Sequence, residues 1–194
     1  LAGWCNKYRL KTSLAIVKDD PDALFSALKL LSAETDAMIT SGGAWTGDHD
    51  IVAQVLEQLE WKKVFHRIRM GPGKAVGFGI LNDKPIFILP GGPPSNLMSF
   101  LQVALPGILA LSGHTNPGLQ RIKAKLASDL IEGESDWTDF FFGTIKFDKN
   151  LPIFYPMEKR SRLASIAEAT AIASIPEGQD HLFEGSVIYV QLLN

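Results

Sequence analysis

Two glycine-rich segments are the places in this sequence where residue type and spacing could do chemistry. They are Ser41-Gly-Gly-Ala-Trp-Thr-Gly-Asp48 and Pro90-Gly-Gly-Pro-Pro94, the latter followed by Ser95. Each follows a short apolar run and precedes a helix-like one, as a loop at the carboxyl edge of an α/β sheet would. Glycine there lets the backbone approach an anion, and the N–H groups of the next helix point at it. A phosphorylated ligand suits this pattern, held by Ser41, Gly42, Gly43, Thr46 and Gly47 on one loop and Pro90, Gly91, Gly92, Pro93 and Ser95 on the other. The alternative is that the glycines only permit tight turns. Asp48 and Asp50 close the first loop, and a carboxylate pair beside a phosphate cradle could hold magnesium. Alternatively, Asp48 caps the next helix and Asp50 offsets its dipole. Lys74, in Gly71-Pro-Gly-Lys74, is either a cation for an oxyanion or a solvated turn lysine. Gly71 to Gly77 lacks GxGxxG spacing, and Ala75 stands where a P-loop needs Ser or Thr for magnesium.

The elements that must position these groups follow from local signals. Thr12 to Val17 is branched and apolar enough for a strand. Asp20-Pro21-Asp22 supplies an N-cap, a proline at the first helical position and a first-turn acid, so a helix is expected over Pro21 to Ala33. Asp36 to Thr40 reads as a buried strand, and Ile51, Val52, Val55, Leu56 and Leu59 mark a second helix. Val64 to Met70, Ala75 to Leu81 and Pro85 to Leu89 are strand-like and so closely spaced that neighbours must pair antiparallel. Ser95 is placed to cap an apolar helix, Asn96 to Leu111. After the linker Ser112 to Gly118, strands are expected at Ile122 to Leu126, Asp139 to Phe147, Ile153 to Tyr155, Ala171 to Ile175 and Val187 to Leu193, with one helical stretch, Leu163 to Ala169. These make a small barrel or sandwich.

The chain has 194 residues, enough for one large domain or two small ones. Its 19 Lys+Arg against 21 Asp+Glu give no drive towards a nucleic-acid backbone, so nucleic acid is not the expected partner. A single cysteine, Cys5, leaves no internal disulfide and no multi-cysteine zinc site. Gly, Pro or a charge interrupts each apolar stretch before the ~20 residues a bilayer requires, and no signal-like segment leads the chain. A reducing, cytoplasmic setting without membrane insertion is expected. Leu1 stands where an initiator Met would, so the chain is expected to be a fragment that binds ligand but is inactive alone.

Thr40-Ser-Gly-Gly-Ala-Trp-Thr-Gly-Asp-His-Asp50, Gly71-Pro-Gly-Lys74 and Leu89-Pro-Gly-Gly-Pro-Pro-Ser95 occur in that order. Together with Ile16 to Pro21 and a barrel ending in Ile175-Pro-Glu-Gly178, they resemble the molybdopterin molybdenumtransferase family, to which animal gephyrin is related. The resemblance implies a three-layer α/β molybdopterin-binding domain with a mostly parallel sheet, residues 1–113, followed by a β-barrel domain, residues 119–194. It also implies a homodimer that inserts molybdate into adenylylated molybdopterin with magnesium and releases AMP. Asp50 matches the acidic residue expected to bind metal or position the attacking group. Pro90 and Pro93 match the second-loop prolines, Lys74 a lysine near the oxyanion, and Ser161 a retained barrel residue.

The chain departs from that pattern at Ala44-Trp45-Thr46, at Gly92 in place of Asn, at Gly71 in place of a second Lys and at Trp137 in place of an Arg, with Arg160 or Arg162 able to supply the missing charge. Restoring Lys at position 71 is expected to strengthen oxyanion binding. Two other functions compete: a catalytically diverged paralogue acting as a dimerisation or partner-binding scaffold, and an adenylyltransferase-like domain, which the second loop and the barrel argue against.

Overall fold

The computed structural model describes residues 1–42, 51–131, 136–147, 150–157 and 166–193. The chain divides into two compact units: Leu1–Ile68 with Ala75–Gly92, and Arg69–Lys74 with Pro93–Asn194. By compactness, the helix after the second loop groups with the strands that follow it.

In the first unit, α1 (Ala2–Lys7) precedes α2 (Pro21–Glu34), which begins as its local signals require. Asp20 accepts a hydrogen bond from the Ala23 N–H at 2.8 Å, and Pro21 occupies the first turn, where its missing N–H costs nothing. The strands are β1 (Met38–Ser41), β2 (Lys62–His66), β3 (Met70–Gly71, which joins the second unit), β4 (Gly77–Leu81) and β5 (Lys84–Leu89), with α3 (Ile51–Gln58) between β1 and β2. The sheet runs β1-β5-β4-β2. Only β1 and β5 are parallel, so among the described residues the sheet is mixed rather than mostly parallel. The cause is the two-residue loop joining β4 to β5, with both Asn82 and Asp83 at positive φ, which can only reverse the chain. Leu28 of α2, Val55 and Leu56 of α3, and Met38, Ile86 and Ile88 of the sheet form one core. Lys84 Nζ donates to the Thr35 carbonyl at 2.6 Å and Asn82 to Ser32 Oγ at 2.8 Å, tying the hairpin to the end of α2.

Two expected strands change. Thr12 to Val17 forms no ladder, and Leu14 and Ile16 are 80% and 104% exposed, because β-propensity becomes a strand only where a neighbour supplies hydrogen bonds and burial. Val64 to Met70 breaks at Arg67, whose φ of 68° turns the chain after β2, so that β3 pairs with a strand of the second unit instead.

In the second unit, Pro93 to Leu111 is one continuous helix: α4 (Pro93–Ser99), a wide π turn (Phe100–Ala104) and α5 (Leu105–Leu111). Ser95 is its third residue, not its cap, because Pro93 and Pro94 suit a first turn. The π turn lets the helix pass Pro106: the Leu105 N–H reaches back five residues to the Phe100 carbonyl, loosening the turn a proline would otherwise strain. Pro106 and Gly107 interrupt its apolar run, yet the continuous helix has the length and apolar composition to cross a membrane, while Met98, Phe100, Leu101, Ala104, Leu105 and Leu109 are buried. It ends at Gly113, φ 84°, with the His114 N–H on the Leu109 carbonyl.

The remaining strands are β6 (Arg121–Leu126), β7 (Leu130–Ile131), β8 (Thr138–Lys146), β9 (Ile153–Pro156), β10 (Ala171–Ile175), β11 (His181–Leu182) and β12 (Val187–Leu192). Strands β10-β12-β6-β9-β8 close on themselves through β8 and β10, which decides for a barrel over a sandwich. The short β7 and β11, unmarked in sequence, form a separate ribbon. The Glu184 N–H holds Asp129 beside it at 2.6 Å and, with His181 at 3.1 Å, keeps that carboxyl below its usual pKa. The helix expected over Leu163 to Ala169 is described only from 166, where one turn, 166–168, is helical.

Candidate functional site

The two glycine loops emerge from adjacent parallel strands. Ser41, the exposed last residue of β1, is in register with Leu89, the last residue of β5. Gly42 follows with φ 96°, a conformation that strains any residue with a Cβ, and its N–H donates to the Leu89 carbonyl at 3.0 Å. A Cβ built on Gly91 would lie 3.6 Å from the Gly42 Cα. Pro90 is buried, whereas Gly91 and Gly92 are exposed, and a Cβ on Gly92 would meet nothing within 4 Å among the described residues. Pairing of β1 with β5 thus unites Ser41 and Leu89, which the sequence separates by all of α3, β2 and β4. In the same strand Thr40 Oγ1 is buried without a hydrogen-bond partner among the described residues, a feature that no sequence signal announced.

This geometry corrects the expected supply of donors. The Gly42 N–H extends the β ladder and is not offered to a ligand. Pro93 and Pro94 have no N–H, so two of the four donors normally unpaired at a helix start do not exist. No backbone partner among the described residues takes the N–H of Gly91 or Gly92, which leaves that pair as the donors at the first unit's sheet edge. Gly43, Thr46, Gly47, Asp48 and Asp50 lie outside the described residues, as do Ser161, Arg160 and Arg162. Among the described residues no three His, Cys, Asp or Glu side chains group as metal ligands would.

In the second unit the Gly71-to-Lys74 turn lies against α4. Ser99 Oγ donates to the Gly73 carbonyl at 3.1 Å, and a Cβ on Gly73, whose φ is 118°, would lie 2.8 Å from Ser99 Oγ and 3.4 Å from the Ser95 carbonyl. The geometry therefore sets Gly73 beside Ser95 and Ser99. Lys74 is exposed, with its ammonium 5.5 Å from the centre of the Trp137 ring. Trp137 thus gives Lys74 an aromatic face to lie on, a role that reading it as a lost arginine did not reveal.

Gly71 is likewise more than a lost lysine. It faces Asp139 in the β3–β8 pairing, and a Cβ there would collide with the Asp139 carboxylate. Gly71→Lys is therefore expected to turn the Asp139 carboxylate aside at little cost in stability and to leave molybdate affinity unchanged or weaker, because the new ammonium would pair with that carboxylate. Molybdate calorimetry with a thermal melt checks it; a tenfold gain in affinity at full stability would restore the sequence expectation.

Residues 1–110 match the family described as "Probable molybdopterin binding domain". The chain is 30% identical over 179 residues to a protein of Methanocaldococcus jannaschii named for molybdopterin biosynthesis, covering 92% of this chain and 42% of that protein. It is 29% identical over 182 residues to a molybdopterin molybdenumtransferase of a Nostoc species, covering 90% of this chain and 42% of the relative. The crystal structure of a molybdopterin biosynthesis MoeA protein from Pyrococcus horikoshii superposes with a TM-score of 0.73 at 27% identity, over 93% of this chain and 43% of that one. The chain therefore spans about 42% of the length of the curated relatives it matches. With the family match extending over more than half of its residues, and with Gly42 of the first motif beside Gly91 of the second at the end of a parallel strand pair, the chain belongs to the molybdopterin-binding domain family.

Proposed function

We propose that this protein acts in molybdenum cofactor biosynthesis: it binds adenylylated molybdopterin at the carboxyl ends of β1 and β5, and molybdenum from molybdate is transferred with release of AMP. The observation that carries this reading is the approach of exposed Gly91 to Gly42, with the N–H groups of Gly91 and Gly92 unclaimed by any backbone partner among the described residues, so that a phosphate-bearing ligand can lie close to the chain. The family match and the names of the relatives support it. In this reading residues 1–113 are the pterin-binding domain, residues 119–194 are the barrel domain, and the enzyme is a cytoplasmic homodimer.

Cleaving an adenylate develops negative charge on phosphate oxygens, and stabilising that charge requires positioned donors and cations rather than a covalent nucleophile. In the first unit Gly91 and Gly92 supply donors; in the second, Lys74 lies over Trp137 and is the lysine that the family resemblance assigns to the oxyanion. Magnesium, when bound, would neutralise phosphate charge; Asp48 and Asp50 are the residues that would hold it. One observation favours the alternative of a diverged scaffold, namely that Gly42, Pro93 and Pro94 offer no free N–H.

Anaerobic titration with adenylylated molybdopterin tests the site. Saturable binding is expected, weakened about tenfold or more by Gly91→Val, whose side chain fills the gap between the loops while its Cβ makes only ordinary contact with Gly42. Absence of saturable binding, or an unaffected variant, overturns the reading.

A further inference from the structure

The outer wall of the barrel carries a cationic stripe that pterin chemistry does not use. β6 alternates, with Ile122, Ala124 and Leu126 turned to the core and Arg121, Lys123 and Lys125 turned to solvent. Across the ladder Gln191, Tyr189 and Val187 of β12 stand opposite those three cations. The Arg121 guanidinium lies 5.2 Å and the Lys123 ammonium 5.7 Å from the centre of the Tyr189 ring. On the other side, Lys125 is in register with Ile153 of β9 and Ile153 with Lys146 of β8, whose ammonium lies 4.9 Å from the Tyr155 ring. Among the described residues none of these four cations has a carboxylate partner. Where Arg121 begins the stripe, Gln191 and Gln102 of the π turn exchange two amide hydrogen bonds at 2.6 and 3.1 Å, fixing that end of β12.

We propose that this face docks an extended acidic polypeptide segment with carboxylates at alternate residues. Side chains on one face of a strand repeat every ~6.6 to 6.8 Å, and alternate side chains of an extended peptide repeat at the same distance. Three carboxylates at positions i, i+2 and i+4 therefore meet Arg121, Lys123 and Lys125 without either chain bending. Arg121 and Lys123 already rest on the Tyr189 ring, so less side-chain freedom is lost on binding than for unsupported surface cations. The same contacts disfavour single-stranded nucleic acid, since bases need the aromatic faces that the cations cover. The chain's formal net charge of -2 confines the attraction for acidic partners to local patches such as this.

The test is fluorescence anisotropy of the 194-residue chain with a labelled peptide of alternating glutamate and serine, about ten residues long, the span of a strand wall. A second peptide carries the same number of glutamates at every third position, and a third probe is an oligothymidylate. Saturable binding of the alternating peptide is expected, several-fold tighter than the respaced one and weakening as salt is raised. The double change Arg121→Glu with Lys123→Glu should weaken it at least about tenfold, whereas Arg121→Lys with Lys123→Arg, which keeps both charges, should retain it. All of these positions are exposed, and a thermal melt of each variant confirms that it folds. Equal affinity for both peptides, insensitivity to the charge reversal, no saturable binding, or tighter binding of the oligothymidylate would each overturn the proposal.

Discussion

Asp50→Asn is expected to lower AMP release from adenylylated molybdopterin on the order of a hundredfold while leaving thermal stability almost unchanged. The expectation rests on sequence position, since Asp50 lies outside the described residues and immediately precedes Ile51, where α3 begins. An acid at that place has two possible uses, and asparagine separates them. As a helix-terminal acid that offsets the dipole or caps the first turn, Asp50 is replaced by Asn at a cost of about 0.3 to 1 kcal/mol at most, so that role predicts little loss of stability and no loss of turnover. As a charge beside a phosphate, the carboxylate has no neutral substitute, and its removal should cost several kcal/mol of transition-state stabilisation. Asp50→Ala completes the comparison, because it removes both uses and should lose about 1 kcal/mol of stability as well. Chromatographic measurement of AMP, paired with melting curves, decides the matter in the protein that contains this chain. Wild-type AMP release from Asp50→Asn would leave Asp50 only the capping role.

The largest stability effect is expected in the barrel, from Phe154→Ala. Phe154 of β9 is fully buried among Ala124, Leu126, Phe141, Ala173 and Val190. Truncating a buried phenylalanine typically costs about 3 to 5 kcal/mol, a large share of the ~5 to 15 kcal/mol that holds a domain together. Its ring edge also dictates a glycine on the neighbouring strand. A Cβ on Gly143 would approach Phe154 Cε2 to 2.6 Å and the Tyr155 carbonyl to 2.5 Å, so Gly143→Ala should destabilise by overpacking, about 1 to 3 kcal/mol. The two changes should couple: with the ring gone, the added methyl loses one of its two obstacles and fills part of the cavity. A double-mutant cycle by denaturant unfolding, with hydrogen exchange of the β6, β10 and β12 amides as the local readout, should show the Gly143→Ala penalty reduced in the Phe154→Ala background. Simple additivity would mean that the Tyr155 backbone, not the ring, sets the requirement for glycine.

Local signals made several elements legible. Asp20-Pro21-Asp22 announced α2 because capping, proline placement and dipole compensation act within four residues. The short link Asn82-Asp83-Lys84 announced an antiparallel hairpin because so short a link can only reverse the chain, and the structure closes it to two residues by drawing Lys84 into β5. Ala171 to Ile175 was legible to the residue as β10. Thr12 to Val17 misled for the opposite reason, since it carries strand-forming residues but no neighbouring strand. Ser95 misled because two prolines ahead of it already fit the first turn. The ribbon strands β7 and β11, two residues each, were too short for any periodicity to register.

For the candidate site, the sequence by itself determined which residues could meet an anion: two glycine loops, a lysine in a tight turn and a pair of carboxylates, each written in a few consecutive positions. Tertiary structure decided what those residues are free to do. Pairing of β1 with β5 placed Gly91 against Gly42 and at the same time consumed the Gly42 N–H. Pairing of β3 with β8 put Asp139 where a side chain at position 71 would go, and Lys74 of the adjoining turn lies over Trp137. A turn or a cap is settled by neighbours a few bonds away, so sequence can state it. Whether a donor is free, or a cation finds an aromatic face, depends on strand partners many residues distant in the chain, and only the register of the folded ladder fixes those.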